Sequence, residues 1–433
     1  RDWSSDVCSS DLEGSLKELK ILRELSCDAP SHPRNQKELK KEGSFLNLVF
    51  FILIKLYKKL LIELSYRKLR LEFKKHSLRQ EFNKKKLFSN SASSIFICIS
   101  ITGGIGDVIC IARWIRQVKE RFGQLIIIDV FYTSPQKTRF ILEPNGVREV
   151  VSDLIFRRLS FSYDAVLTVN QFIISHDSKF KTERILSIAP DFYYFIKNIN
   201  KSLIPYQKYI DYHPTLDGLF ADLLVEEGLT RKDFLSVISG FDAPNPKLPF
   251  ELPDDFFLKE VGLNDCQYIT IHDGWDGTSN KASVRPTKSY PIDLFAKAIA
   301  LIKNHYSNIK IVQLGFNNGS VIPGIDINLR NSTSLAQDAL ILKQAKAHID
   351  IEGGLVHLAT SIGTPCVVMI GPTNFSYYGY AENKNIKSKE CGNCMHVTDT
   401  ANEFCPLNYT PIKCMPSILP SEISIAISEI MSK

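Results

Sequence analysis

From residue 93 onward, short β-branched runs alternate with stretches of amphipathic helical spacing, and few folds accept that alternation. Parallel strands need a crossover between them, usually a helix, so the pattern predicts βαβ units. Candidate strands are 94–102 (SIFICISIT), 125–132 (LIIIDVFY) and 164–169 (DAVLTV). The first runs into Gly-Gly-Ile-Gly-Asp and then a helix over 108–122, whose apolar positions recur at three and four. Residues 242–254 (DAPNPKLPFELPD) carry four prolines, which cannot continue a helix or a central strand, and read as a linker. A second set follows: strands at 267–272, 309–314, 347–351 and 366–370, with helices at 291–305, 334–346 and 354–362. The fold class is therefore α/β, with one Rossmann-like domain over 93–241 and another over 255–433. Ligands in such sheets sit beyond the carboxyl ends of the strands, which here predicts a cleft between the two domains.

With 433 residues the chain can bury two cores. Residues 1–12 (RDWSSDVCSSDL) read as translated sequencing-adapter DNA, so the genuine N-terminus is expected to be missing. Residues 13–92 read as a basic helical extension. An apolar run at 46–54 is too short to span a bilayer, and 55–86 then carries twelve Lys/Arg against three Glu. A basic amphipathic helix beside an apolar plug suits an anionic inner-membrane surface; a solvated helix packed on the body or on a partner is the alternative. The overall charge of +6 is mild and predicts no nucleic-acid partner. No secretory signal is visible, and Cys27, Cys98, Cys110, Cys266 and Cys366 are scattered, several within apolar runs, which predicts a reducing cytoplasm.

Three glycine turns fall at predicted strand ends. In Thr102-Gly103-Gly104-Ile105-Gly106-Asp107, Gly104 and Gly106 let a ligand approach free backbone N–H groups. The spacing is not G-x-G-x-x-G, which argues against a nicotinamide enzyme although Asp129 stands near the expected distance. Asp107 at a helix N-terminus is either a general base for a hydroxyl or a plain helix cap. In the second half, Glu352, Gly353, Gly354 and His357 open a helix whose first N–H groups could seat a diphosphate. Glu352 either meets ribose hydroxyls or caps that helix; His357 either touches phosphate or is a satisfied buried histidine. Arg285 and Lys288 offer cations to the same diphosphate, or belong to a solvated loop. Gly371 and Thr373 form the third turn. The chain contains no D-x-D triplet, so donor binding without a catalytic metal is expected.

Cys391, Cys394, Cys405 and Cys414 fall within 24 residues, with one pair as C-x-x-C. Four thiolates suit tetrahedral coordination of a structural zinc or iron, and a redox disulfide is the rival.

Taken in order, GGIGDV, TKSYP, EGGLVHLA, GTPCVVMIGPT and the clustered cysteines resemble glycosyltransferase family 9, the bacterial heptosyltransferases, from about Ile95 to the C-terminus. The resemblance implies a GT-B fold and an ADP-heptose donor held by the C-terminal domain. It implies inverting transfer to a hydroxyl of a lipopolysaccharide or other surface glycan. Asp107 matches the family's proposed general base, Lys288 the lysine that meets donor phosphates, and Gly354 and His357 its D-x-G-x-x-H. Where most members begin that motif with Asp, this chain has Glu352, preceded by Asp350. The cysteines and the E-G-G-L-V-H wording are similar to autotransporter heptosyltransferases, which leaves a protein acceptor open. A non-catalytic nucleotide- or glycan-binding homologue and a GT-B sugar epimerase are the readings from other classes.

Overall fold

The computed structural model describes residues 71, 74, 75, 78, 93–275, 286–316, 319–398 and 400–432. The chain divides into Arg1–Asn90 and Ser91–Lys433. In the first part, the described Leu71, Lys74, Lys75 and Leu78 are helical and exposed; the rest of the expected basic extension lies outside the described residues. Among the described residues no helix is long and apolar enough to cross a membrane.

Ser91–Lys433 holds two mostly parallel sheets. Strands β1 (Ile95–Ile101), β2 (Ile126–Tyr132), β3 (Val147–Ser152), β4 (Ala165–Val169) and β5 (Ile173–Ser175) form one, in the order β3-β2-β1-β4-β5. All pairs in it are parallel except β4 with β5. Every residue of β1 is buried, which is why a strand covered on both faces reads as an unbroken apolar run rather than an alternation. Helix α1 (Ile105–Phe122) follows, starting three residues before the apolar periodicity suggests because Gly104 already acts as its N-cap. Its inner face buries Val108, Ile111, Ile115 and Trp114, and the Trp114 indole donates to Ser239 Oγ at 2.8 Å. The longest of the remaining helices in this half are α2 (Pro135–Leu142), α3 (Pro190–Ser202) and α4 (Asp217–Glu226).

The second sheet has the order β11-β10-β9-β6-β7-β8, all parallel. Its strands are β6 (Tyr268–His272), β7 (Lys310–Leu314), β8 (Ile327–Asn328), β9 (His348–Ile351), β10 (Cys366–Ile370) and β11 (Lys384–Lys387). Helices α5 (Ile292–His305), α6 (Leu335–Gln344), α7 (Gly354–Ile362) and α8 (Pro420–Met431) cover it, with α8 packed on α5. Residues 242–254 contain neither helix nor strand. They are pinned to both halves: Asn145 Nδ2 donates to Pro249 O at 3.0 Å, and the Leu248 N–H donates to Ser361 O at 3.0 Å.

Strand order decides where a ligand can sit. The chain leaves β1 and β4 toward opposite edges of the first sheet, and β6 and β9 toward opposite edges of the second, so the crevices open beyond the carboxyl ends of these four strands. The residues there are Thr102–Asp107, Asn170, His272–Gly274 and Glu352–Gly354.

Candidate active site

The turn after β1 is shaped around one carboxylate. Gly103 has φ +114°, and a Cβ there would collide with the Asp107 side chain. Asp107, in the first turn of α1, accepts the Gly104 N–H on Oδ2 at 3.0 Å, so the capping role expected of it is real. Its side chain nevertheless stays 35% exposed, which leaves it reachable. Its other oxygen is taken by Arg231, whose Nη2 donates to Oδ1 at 2.5 Å. Arg231 is buried; burial works against its charge, but the facing Asp107 outweighs this and raises its pKa further above the ordinary value. It also donates to Asn170 O, at the end of β4, at 3.3 Å. A base and a fixed buried cation thus share one oxygen pair, and each carboxylate oxygen retains capacity for a further donor.

The second half brings its own turn against this one. Gly106 has no room for a side chain: a Cβ there would stand 2.7 Å from Cδ2 of the His357 ring. A Cβ at Gly354 would stand 3.4 Å from the Ile105 Cβ. The N-termini of α1 and α7 therefore meet, and their dipoles point into the same crevice. Lys288 Nζ donates to the Glu352 carbonyl oxygen at 3.3 Å and lies 4.0 Å from its Oε2. Burial raises the Glu352 pKa, Lys288 opposes that, and Asp107 and Asp350 add to it. His357 is buried, and burial together with Arg113 lowers its pKa to about 3.

The structure thus brings together Asp107, Gly106, Lys288, Glu352, Gly354 and His357. Gly353 is extended, with φ 179°, a conformation open to any residue. Gly371 faces elsewhere: the space a side chain would need is filled by Met415 and Cys414, so its smallness serves packing. Thr373 is buried just beyond β10, and Arg285 lies outside the described residues. Asp129 is a buried partner of Arg148 and Tyr163, which agrees with the reading against a dinucleotide enzyme.

Beneath the Glu352 turn lies a buried charged network that the sequence did not announce. His272 Nδ1 stands 3.0 Å from Asp350 Oδ1, and His348 Nε2 stands 3.3 Å from Asp350 Oδ2. Burial opposes both charges, yet each partner outweighs it: His272 is raised to about 9 and Asp350 lowered to about 2.

The four clustered cysteines are free thiols lying close enough to act on one another. Burial first, and then Cys391, Cys394 and Cys405, push Cys414 up to about 12. Among the described residues, no three His, Cys, Asp or Glu stand in an arrangement that could hold a metal ion, so the thiols as placed do not form a coordination shell. Their loop reaches the segment that carries Lys288, where the Thr287 N–H and hydroxyl donate to Asn402 O at 2.9 Å and Ala401 O at 2.6 Å.

The His272–Asp350 pair yields a pH prediction. Its acid arm is present above the ordinary 3.8 of Asp and is lost as pH falls through about 2. Its alkaline arm is present below the ordinary 6.5 of His and is lost as pH rises through about 9. Melting temperature should therefore decline between about pH 6.5 and 9, and His272→Gln should flatten that decline. Equal slopes in both proteins would show that the pair is not charged.

Comparison with known proteins agrees with the resemblance read from the motifs. Residues 241–404 match the model of glycosyltransferase family 9 (heptosyltransferase). No curated protein sequence matches the chain. Among solved structures, the chain is similar to ADP-heptose LPS heptosyltransferase II of E. coli, with 15% identity over 78% of this chain and 99% of that one and a TM-score of 0.50. A glycosyltransferase family 9 structure from Veillonella parvula gives 15% identity, 78% and 98% coverage and a TM-score of 0.50. The iron-containing dodecameric glycosyltransferase TibC of enterotoxigenic E. coli gives 13% identity, 78% and 77% coverage and a TM-score of 0.52. The fold is GT-B, two Rossmann-like halves facing a crevice.

Proposed function

We propose that this glycosyltransferase, with its family 9 match over residues 241–404, moves a heptose from ADP-heptose to a hydroxyl of a lipopolysaccharide or other surface glycan. The observation that carries the reading is the meeting of the two glycine turns. One presents a carboxylate, Asp107; the other presents Glu352, His357 and the first N–H groups of α7, and Lys288 reaches it from the loop before α5.

In this reading the α7 N-terminus and Lys288 receive the donor diphosphate, and Glu352 meets its ribose. Asp107 takes the proton of the acceptor hydroxyl as the acceptor oxygen bonds to the anomeric carbon. The bond from that carbon to the phosphate oxygen breaks on the opposite face, and ADP leaves with the electron pair. Transfer inverts because a single displacement occurs. Arg231 holds the Asp107 carboxylate in place, and the absence of D-x-D is consistent with cationic side chains and helix dipole carrying the diphosphate. Support for heptose and ADP comes from the E. coli structures named above, one described as an ADP-heptose heptosyltransferase and TibC also in complex with ADP-D-β-D-heptose. A protein acceptor is the second reading, favoured by the likeness of the cysteine cluster and the E-G-G-L-V-H run to autotransporter heptosyltransferases.

Asp107→Asn should leave donor binding within about twofold and cut turnover by about 10²–10⁴, as general-base loss does; unchanged turnover would remove the base. Lys288→Ala should instead weaken donor affinity, and equal affinity would take Lys288 out of the site.

The cysteine cluster belongs to the same proposal as a structural metal site for zinc or iron. Purified protein is expected to carry close to one equivalent of metal per chain. Less than about a tenth of an equivalent would leave four ordinary thiols.

A further inference from the structure

Arg113 on α1 crosses from the N-terminal half to the C-terminal one. Its Nη2 donates to Ser361 Oγ at 2.7 Å and to Pro246 O at 2.8 Å, and its Nη1 donates to the Tyr380 hydroxyl at 3.1 Å. A guanidinium has no acceptor, so in that last contact the Tyr380 oxygen can only accept. Burial holds the Tyr380 phenol protonated, raising its pKa. Its proton is then available to one neighbour, His357 Nδ1, at 2.6 Å.

The ring of His357 has no choice left. Burial, with Arg113 next and Arg231 and Lys232 behind it, keeps the imidazole neutral at physiological pH. Lys232 Nζ also lies 4.4 Å from the centroid of the Tyr380 ring, adding positive charge beside the pair. A neutral ring whose Nδ1 accepts must carry its proton on Nε2. That nitrogen faces the crevice: it lies 3.9 Å from Glu352 Oε1, and 3.0 Å from where a Cβ on Gly106 would be.

We propose that Arg113 and Tyr380 are positioning residues that lock His357 in the Nε2–H tautomer, so that it donates a hydrogen bond to the donor diphosphate. The assignment rests on reading the crevice as a nucleotide-sugar site. The opposite tautomer would turn a lone pair toward an anion and repel it. Because Arg113 stands on one half and Tyr380 and His357 on the other, the relay is complete only while the two halves are in contact.

The test uses the whole chain labelled with ¹⁵N-histidine, with His357 assigned by His357→Asn. The wild-type ring should show a single Nε2–H form. Tyr380→Phe removes the hydroxyl proton that enforces it. The ring should then become a mixture of tautomers, and ADP affinity measured by calorimetry should fall by the reciprocal of the remaining Nε2–H fraction, about twofold for an even mixture. A cationic or Nδ1–H ring in the wild type would overturn the relay without any variant. So would an unchanged tautomer and unchanged ADP affinity in Tyr380→Phe. If ADP binds neither protein, the nucleotide-sugar reading fails, while the ring spectrum still decides the relay.

Discussion

Two helix N-termini meet where Gly106 gives way to the edge of the His357 ring, and that contact sets how closely the two halves approach. A single methyl group at position 106 would push the halves apart or displace the histidine. The rest of the site follows from this proximity. The first turn of α1 brings Asp107, the first turn of α7 brings Glu352 and His357, and the loop before α5 lays Lys288 between them. The two helix dipoles, of the same sign, converge there and favour an anionic ligand.

In the crevice Arg231 faces Asp107, Lys288 faces Glu352, and His272 stands between Asp350 and Asp273. His357 stands among them uncharged. Buried charges are tolerated only when paired, and breaking one of these pairs would leave an uncompensated ion in the interior. In the proposed reaction the roles divide physically: the half-exposed Asp107 meets the acceptor, while neutral His357 and the Lys288 ammonium stand on the side where phosphate would lie.

Much of this was legible in the sequence. The central strands read correctly to within a residue because a strand buried on both faces is an unbroken apolar run, as in Ile95–Ile101. Strands β3 and β11 escaped because they carry charge, Arg148 and Glu149 in one and Lys384 and Lys387 in the other, and look like loops. Asp107, Glu352 and His357 were visible because glycine turns mark them locally. Arg231, Arg113 and Tyr380 were not: Arg231 meets Asp107 from 124 positions away and Arg113 meets Tyr380 from 267, and no local pattern signals either. Gly371 sits in the same kind of local pattern as the site glycines, yet serves the packing of Met415.

The central claim is that the meeting turns hold an adenine nucleoside diphosphate. Calorimetric titration of the purified chain with ADP, UDP and GDP, without added divalent metal, tests it most directly. The account predicts one site that prefers ADP over both others by at least about tenfold, a difference of roughly 1.4 kcal/mol. Preference for UDP or GDP, or no binding of any of the three, would contradict it.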